Sequence, residues 1–263
     1  MANFTTLYSG SSGNCSVVEE KGGYLLVDMG KSCRLTTKAL YQLGLSLRDL
    51  QGICVTHEHS DHVKGLAVFL KNTKVPVYGG AATLDYLAQH DLVPPGTDLV
   101  AIDGRPEDVG GFEVTAFPTS HDSVGCCGFR ITAPGGAKVA LATDLGYVGG
   151  EVYAALSGCD LVALEANYDQ AMLMSGPYPY YLKTRIASPR GHLDNRESAG
   201  TLLRLLKDGC EKFALCHMSQ ENNTPLLVMA EMHAALDSAL AKAGRDCVLQ
   251  LSPRHDISPT IEV

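Results

Sequence analysis

A chain of 263 residues with 45% hydrophobic and 19% charged side chains is long enough to bury a sizeable core, and that balance excludes a disordered polypeptide. The formal net charge of −8 argues against a broadly basic face for gripping nucleic-acid backbone, although carboxylates that bind divalent cations count as negative in that sum. No stretch approaches the roughly 18 apolar residues needed to span a bilayer, and the N-terminus has no basic segment leading into an apolar one, so a cytoplasmic protein is expected. Nine cysteines, an odd number without a CxxC pair and several inside apolar runs, read as free thiols of a reducing compartment.

Taken in chain order, short β-branched apolar runs predict strands over 4–8, 15–18, 24–28, 53–56, 75–78 and 99–102, then over 112–117, 138–142, 160–164, 213–216, 247–251 and 260–263. Apolar residues three and four apart predict helices over 34–43, 64–71, 81–89, 196–207 and 225–243. In the last of these, Leu226, Met229, Met232, His233 and Leu236 share a face. There is no repeat and no low-complexity linker. Strand-rich halves with helices between them predict two sheets packed face to face with helices outside, an α/β layered sandwich forming one domain over 1–263.

Residues of metal-ligand type follow the predicted strands. Asp28 ends one, His57 and His121 follow two more, and Asp144 and His217 follow two in the second half. Loops at the carboxyl ends of core strands are where rigid scaffolds carry their chemistry. The run Thr56-His57-Glu58-His59-Ser60-Asp61-His62 packs His57, His59, Asp61 and His62 into six residues. With 9 histidines in the chain, chance produces that pattern on the order of one time in a thousand. On a turn after a strand, His57 and His59 can face one cation while Asp61 and His62 face its neighbour. Four ligands cannot close two sites, so His121 completes the first and Asp144 is placed to bridge both. Imidazole and carboxylate ligands suit two divalent ions, Zn, Mn or Fe.

These segments resemble the metallo-β-lactamase superfamily and, within it, the YycJ (WalJ) group of metallo-hydrolases. The matching pieces are Ser9 to Asn14, Leu26 to Gly30, the THEHSDH loop, Thr143 to Tyr147, Glu165 to Asp169, Gly191 to Asn195 and His217 to Asn223. They cover nearly the whole chain. The resemblance implies a four-layer αββα fold, a dinuclear centre, phosphodiester or nuclease chemistry and a bacterial source. The chain has no room for the inserted arm by which tRNA-processing relatives dock tRNA, and Ser219 to Asn223 replaces their Ser-Arg-Tyr ending, which points away from RNA.

The chemistry expected is two-metal hydrolysis of a phosphodiester, that of DNA cleaved from an end, by a metal-bridged hydroxide that Asp61 orients. His192 or His217 protonates the leaving oxygen. The last ligand is expected to be His217, with His255 as the competing candidate. Ser11, Ser12, Asn14 and Asn222 are the expected substrate contacts, Asp28 supports a ligand imidazole, and Glu165 is either a supporting or a structural carboxylate. Pro177 to Tyr181 reads as a packed, Pro-stiffened loop, or alternatively Tyr178, Tyr180 and Tyr181 form an aromatic lid or stack on a base, followed by Lys183, Arg185 and Arg190 as the candidate substrate flank. Two other functions share these residues: thioester, ester or lactam hydrolysis on the same scaffold, and a regulatory protein that uses metal structurally. No protein partner follows from the residues.

Overall fold

In the computed structural model, which describes residues 1–263, the first half of the chain builds one sheet and the second half another, with the last strand returning to the first. The first half runs β1 (Asn3–Tyr8), β2 (Cys15–Glu20), β3 (Gly23–Val27), α1 (Cys33–Gln42), β4 (Leu50–Val55), α2 (Ser60–Val63), α3 (Leu66–Leu70), β5 (Val77–Gly79), α4 (Ala81–Gln89) and β6 (Leu99–Ala101). The second runs β7 (Glu107–Val109), β8 (Phe112–Pro118), β9 (Cys127–Thr132), β10 (Lys138–Ala142), α5 (Gly150–Leu156), β11 (Leu161–Glu165), α6 (Gln170–Ser175), α7 (Tyr180–Ile186), α8 (Asn195–Lys207), β12 (Lys212–Cys216), α9 (Pro225–Ser238), β13 (Val248–Leu251) and β14 (Ile261–Glu262). The seven-stranded sheets are ordered β14-β1-β2-β3-β4-β5-β6 and β13-β12-β11-β10-β9-β8-β7.

Strand alternation builds the layers. Leu25 and Val27 of β3 and Val139 and Leu141 of β10 join one cluster between the sheets, whose centre is Phe4, Phe112 and Phe129. Their sequence neighbours Tyr24 and Leu26 face α1, α3 and α4, and Ala140 and Ala142 face α5, α8 and α9. A strand buried on both faces must be apolar at every position, which is why these runs are continuous rather than alternating. The result is the αββα sandwich expected. All nine cysteines are free and eight are buried, acting as small apolar groups. No helix is long and apolar enough to cross a membrane.

Several elements differ from expectation. Strand β9 carries Gly128 and Arg130, which break its apolar run. Gly128 is required because a Cβ there would stand 2.4 Å from the Phe117 ring. Helix α9 stops at Ser238 rather than 243, where Leu240 turns to φ 59. Its buried face is Val228, Met232 and Leu236, four apart, while Leu226 and His233 face solvent. Helix α7 has no fully buried residue and only half-covers Leu182 and Ile186; the expected packed loop runs into this largely exposed helix.

Strands β3 to β6 run parallel, as do β10 to β13, so within each set the carboxyl ends lie along one edge. Two of the loops at this edge end in capped helices: Asp194 accepts from Glu197 N–H at the start of α8, and Thr224 from Leu227 N–H at the start of α9.

Candidate metal centre

The THEHSDH loop is held from behind by Asp28. Its Oδ1 accepts from the Thr56 backbone N–H at 2.8 Å, and its Oδ2 accepts from Thr56 Oγ1 at 2.9 Å and from His62 Nδ1 at 2.8 Å. This leaves His62 Nε2 facing the site, the arrangement by which an outer carboxylate sets the tautomer and direction of a ligating imidazole. Thr56 Oγ1 also touches His57 Nδ1 at 3.0 Å, so Nε2 is the free nitrogen of that ring as well. The loop closes tightly on the segment after β3: a Cβ at Gly30 would stand 1.7 Å from the Asp61 carbonyl oxygen.

Four sets of ligand atoms gather around Asp144. His57, His59 and His121 form one, with ligand atoms within 4.8 Å of one another. Asp61, His62 and His217 form another, and Asp144 falls within a set containing His57 and His62 and one containing His192 and His217. Asp144 Oδ2 lies 3.2 Å from His62 Nε2, and its Oδ1 lies 3.5 Å from His217 Nε2 and 3.8 Å from His121 Nε2. Asp61 Oδ2 is 3.6 Å from both His62 Nε2 and His217 Nε2. Three polar atoms of this cluster are buried without a hydrogen-bond partner: His57 Nε2, Asp144 Oδ2 and His217 Nε2. An orphaned buried polar atom costs about 1–3 kcal/mol, and this donor set is one that two divalent cations would satisfy. The residues therefore fit the group that the sequence implies.

The backbone is strained where it delivers these side chains. Asp28, Asp144 and His217 have φ of 63°, 55° and 54°, a left-handed conformation costing non-glycine residues roughly 1–2 kcal/mol each. Each lies within two residues of the end of its strand, and the turn swings the side chain toward the shared edge.

Glu165, the last residue of β11, is fully buried and organises the far side. Its Oε1 accepts from His192 Nδ1 at 2.8 Å, His217 Nδ1 at 2.7 Å and Asn167 Nδ2 at 3.2 Å. Its Oε2 accepts from the backbone N–H of Leu145 and Leu193, both at 3.1 Å. Burial alone would raise its pKa, but the charges and hydrogen bonds of His192 and His217 outweigh that and hold it at about 2. Burial would likewise lower His217, yet Asp144, Asp61 and Glu165 lift it to about 10 in the metal-free chain. Burial drives His57 and His121 down, which keeps them neutral and ready to ligate. His192 is pushed up because Glu165 and Asp144 overcome its burial, and its side chain alone among the Glu165 partners reaches solvent appreciably.

The expected residues separate into groups. His57, His59, Asp61, His62, His121, Asp144 and His217 converge, with His192 beside them, while His255 stands on the surface outside every ligand set. Ser11 and Ser12 are exposed, and Ser12 Oγ accepts from Lys31 Nζ at 2.9 Å. Asn14 and Asn222 are buried instead of open to substrate. Asn14 contacts His62 Nε2 at 3.1 Å and the Asp61 carbonyl at 3.3 Å, and its own oxygen accepts from Gly10 N–H. Asn222 donates to Ser219 Oγ within its loop, and its backbone carbonyl accepts from Asp169 N–H. Thr56 and Asn167 were missed as supports, since a lone hydroxyl or amide carries no spacing signal.

The Metallo-beta-lactamase superfamily profile matches residues 8–217, and with the paired sheets and clustered His and Asp side chains the chain belongs to that superfamily, as a metal-dependent hydrolase of this fold. Within it, the chain is 34% identical to Exodeoxyribonuclease YycJ of Bacillus anthracis, covering 89% of each protein. It is 32% identical to Exodeoxyribonuclease WalJ of Streptococcus pneumoniae, over 99% of this chain and 97% of the relative. The crystal structure of the metallo-beta-lactamase fold protein YhfI from Bacillus subtilis superposes with a TM-score of 0.71 over 98% of this chain and 99% of that one, at 18% identity, a likeness of fold.

Proposed function

We propose that residues 1–263 form one hydrolase domain whose two-cation centre cleaves phosphodiester bonds of DNA from an end. The observation that carries this reading is the placement of Asp144, whose two oxygens face different histidines of two adjoining ligand sets. The names of the two exodeoxyribonuclease relatives support DNA as the substrate. His57, His59 and His121 would hold one ion, Asp61, His62 and His217 the other, with Asp144 shared. Zn, Mn or Fe would, when bound, polarise a phosphoryl oxygen and supply a hydrolytic nucleophile near neutral pH.

The chain's own groups then have separate tasks. Asp61, a partly solvent-accessible carboxylate 3.6 Å from two ligand imidazoles, accepts the hydrogen bond of the attacking water and orients it. His192 keeps Nδ1 engaged with Glu165, so its Nε2 is free to give a proton to the departing sugar oxygen as the phosphorus–oxygen bond breaks. Glu165 stabilises the charged imidazole before transfer. Buried walls around Asp144 and His217 exclude bulk water and strengthen each electrostatic contact.

The test is turnover by the purified protein with added Mn or Zn. End-labelled DNA should lose nucleotides from one end, bis-p-nitrophenyl phosphate should be cleaved, and chelation should abolish both. Turnover of a thioester or a nitrocefin-like lactam without diester cleavage overturns the proposal.

A further inference from the structure

Helix α7 has no fully buried side chain, and its apolar residues Leu182 and Ile186 are only half-buried. Burial of an apolar face is what normally stabilises a helix this short. Polar ties add to that partial burial in holding the 180–192 segment. Arg185 pairs with the Asp122 carboxylate, Ser120 Oγ donates to the Pro189 carbonyl at 2.6 Å, and Arg190 donates to the His121 carbonyl at 3.3 Å. Lys183 Nζ donates to the Met174 carbonyl at 2.7 Å. Three of these ties reach His121 and its two chain neighbours. The segment is therefore a lip fastened to the rim of the metal centre.

The lip displays aromatic rings and unpaired cations. Tyr180 and Tyr181 are 78% and 73% exposed, more than any other aromatic side chain among the exposed large hydrophobics. Tyr181 lies four residues before Arg185, on the same helical face and roughly 6 Å along it, so it stands one turn from the residue that grips Asp122. Lys183 and Arg190 contact carbonyl oxygens and have no carboxylate partner. Lys31 and Arg254, which contact Ser12 and the Met218 carbonyl, also lack one. On a chain of net charge −8, such a collection of unpaired cations around the centre is complementary to a polyanion.

We propose that Tyr180 and Tyr181 form a stacking platform for unpaired bases of a single-stranded polynucleotide, with Arg190 taking a phosphate beside His121 and Lys183 another further along the lip. This rests on the phosphodiester reading above. A tyrosine ring stacks only on an open base face, and inside a duplex those faces are already covered by neighbouring bases. Because every base has such a face, the platform tolerates any sequence.

The test uses the full, metal-loaded chain and fluorescently labelled, phosphorothioate-linked 12-mers of dT and of U, with a hairpin duplex for comparison. Replacing both residues (Tyr180→Ala with Tyr181→Ala) should raise Kd for the single strand about tenfold or more. Tyr180→Phe with Tyr181→Phe should restore binding, duplex binding should not change, and turnover of bis-p-nitrophenyl phosphate should stay at the wild-type value. A loss in either the dT or the U arm supports the platform and shows which sugar it accepts. Unchanged Kd in both arms overturns it, as does an equal loss of small-diester turnover. Tyrosine-dependent strand binding without any diester cleavage keeps the platform and removes the phosphodiester reading; diester cleavage with tyrosine-independent binding does the reverse.

Discussion

Glu165→Gln changes one oxygen to an amide nitrogen and almost nothing in volume, so it isolates the role of the carboxylate. Five donors converge on its two oxygens: three side-chain donors on Oε1 and two backbone N–H groups on Oε2. Whichever way the new amide turns, its NH2 group meets at least two donors that have lost their acceptor. At about 1–3 kcal/mol for each buried donor left unpaired, the loss is about 2–6 kcal/mol, a large share of the roughly 5–15 kcal/mol typical of a folded domain. For a chain near this size that corresponds to a fall in Tm of roughly 5–20 °C. His192 and His217 would also lose the charge that sets their Nδ1 protons, and loss of such an outer partner typically costs about 10–100-fold in metal affinity or activity. Thermal unfolding of the stripped and loaded protein, with metal titration on the folded variant, reads both effects. A variant melting within a degree or two of wild type and binding both ions at wild-type affinity would refute the argument.

Elemental analysis should find about two ions per chain, with His217→Ala reducing occupancy or turnover by orders of magnitude and His255→Ala nearly silent. Equal metal content and activity in the two variants would remove His217 from the ligand set. At the other end of the fold, Glu20 Oε2 accepts from the Gly135 N–H and Oε1 lies 3.4 Å from the N-terminal amine. The Gly135 hydrogen bond, outweighing burial and helped by that amine, depresses its pKa. A depressed carboxyl contributes stability above its unfolded pKa, roughly 4.3, and that contribution disappears as pH falls through the lower folded value. Urea unfolding should therefore show Glu20→Gln less stable than wild type at pH 7, with the gap closing under acid; a gap that is constant with pH contradicts the assignment.

The candidate ligands were legible before the fold because histidines and a carboxylate crowd one short loop. His57, His59, Asp61 and His62 share one loop, and that loop together with strand-end placement singled out His121, Asp144 and His217. The continuous apolar character of 24–28, 138–142 and 160–164 likewise announced strands covered on both faces. Strand β9 was hidden because Gly128 and Arg130 interrupt its run, and α7 was hidden because seven residues carrying only Leu182 and Ile186 on an apolar face are too short a pattern to read.

What the amino-acid sequence determined by itself was the class of architecture and the identity of the donor atoms, since both follow from residue type and short-range spacing. Only the tertiary structure decided how those atoms are aimed. Asn14 reaches His62 across 48 positions of chain, and Glu165 reaches His217 across 52, so neither partnership has any local signature. Asn14 closes a donor-rich turn of the kind that suits a phosphate, and Asn222 lies in a polar loop after β12. Both are buried, Asn14 against His62 and Asp61 and Asn222 against Ser219 of its own loop, contacts made only when the chain folds. His217 and His255 each follow a strand, and the cationic Arg254 beside His255 already disfavours a metal there. The left-handed turn at 217 and the paired strands beneath it carry only the first into the cluster, because convergence of side chains from distant segments is a property of packing rather than of sequence order.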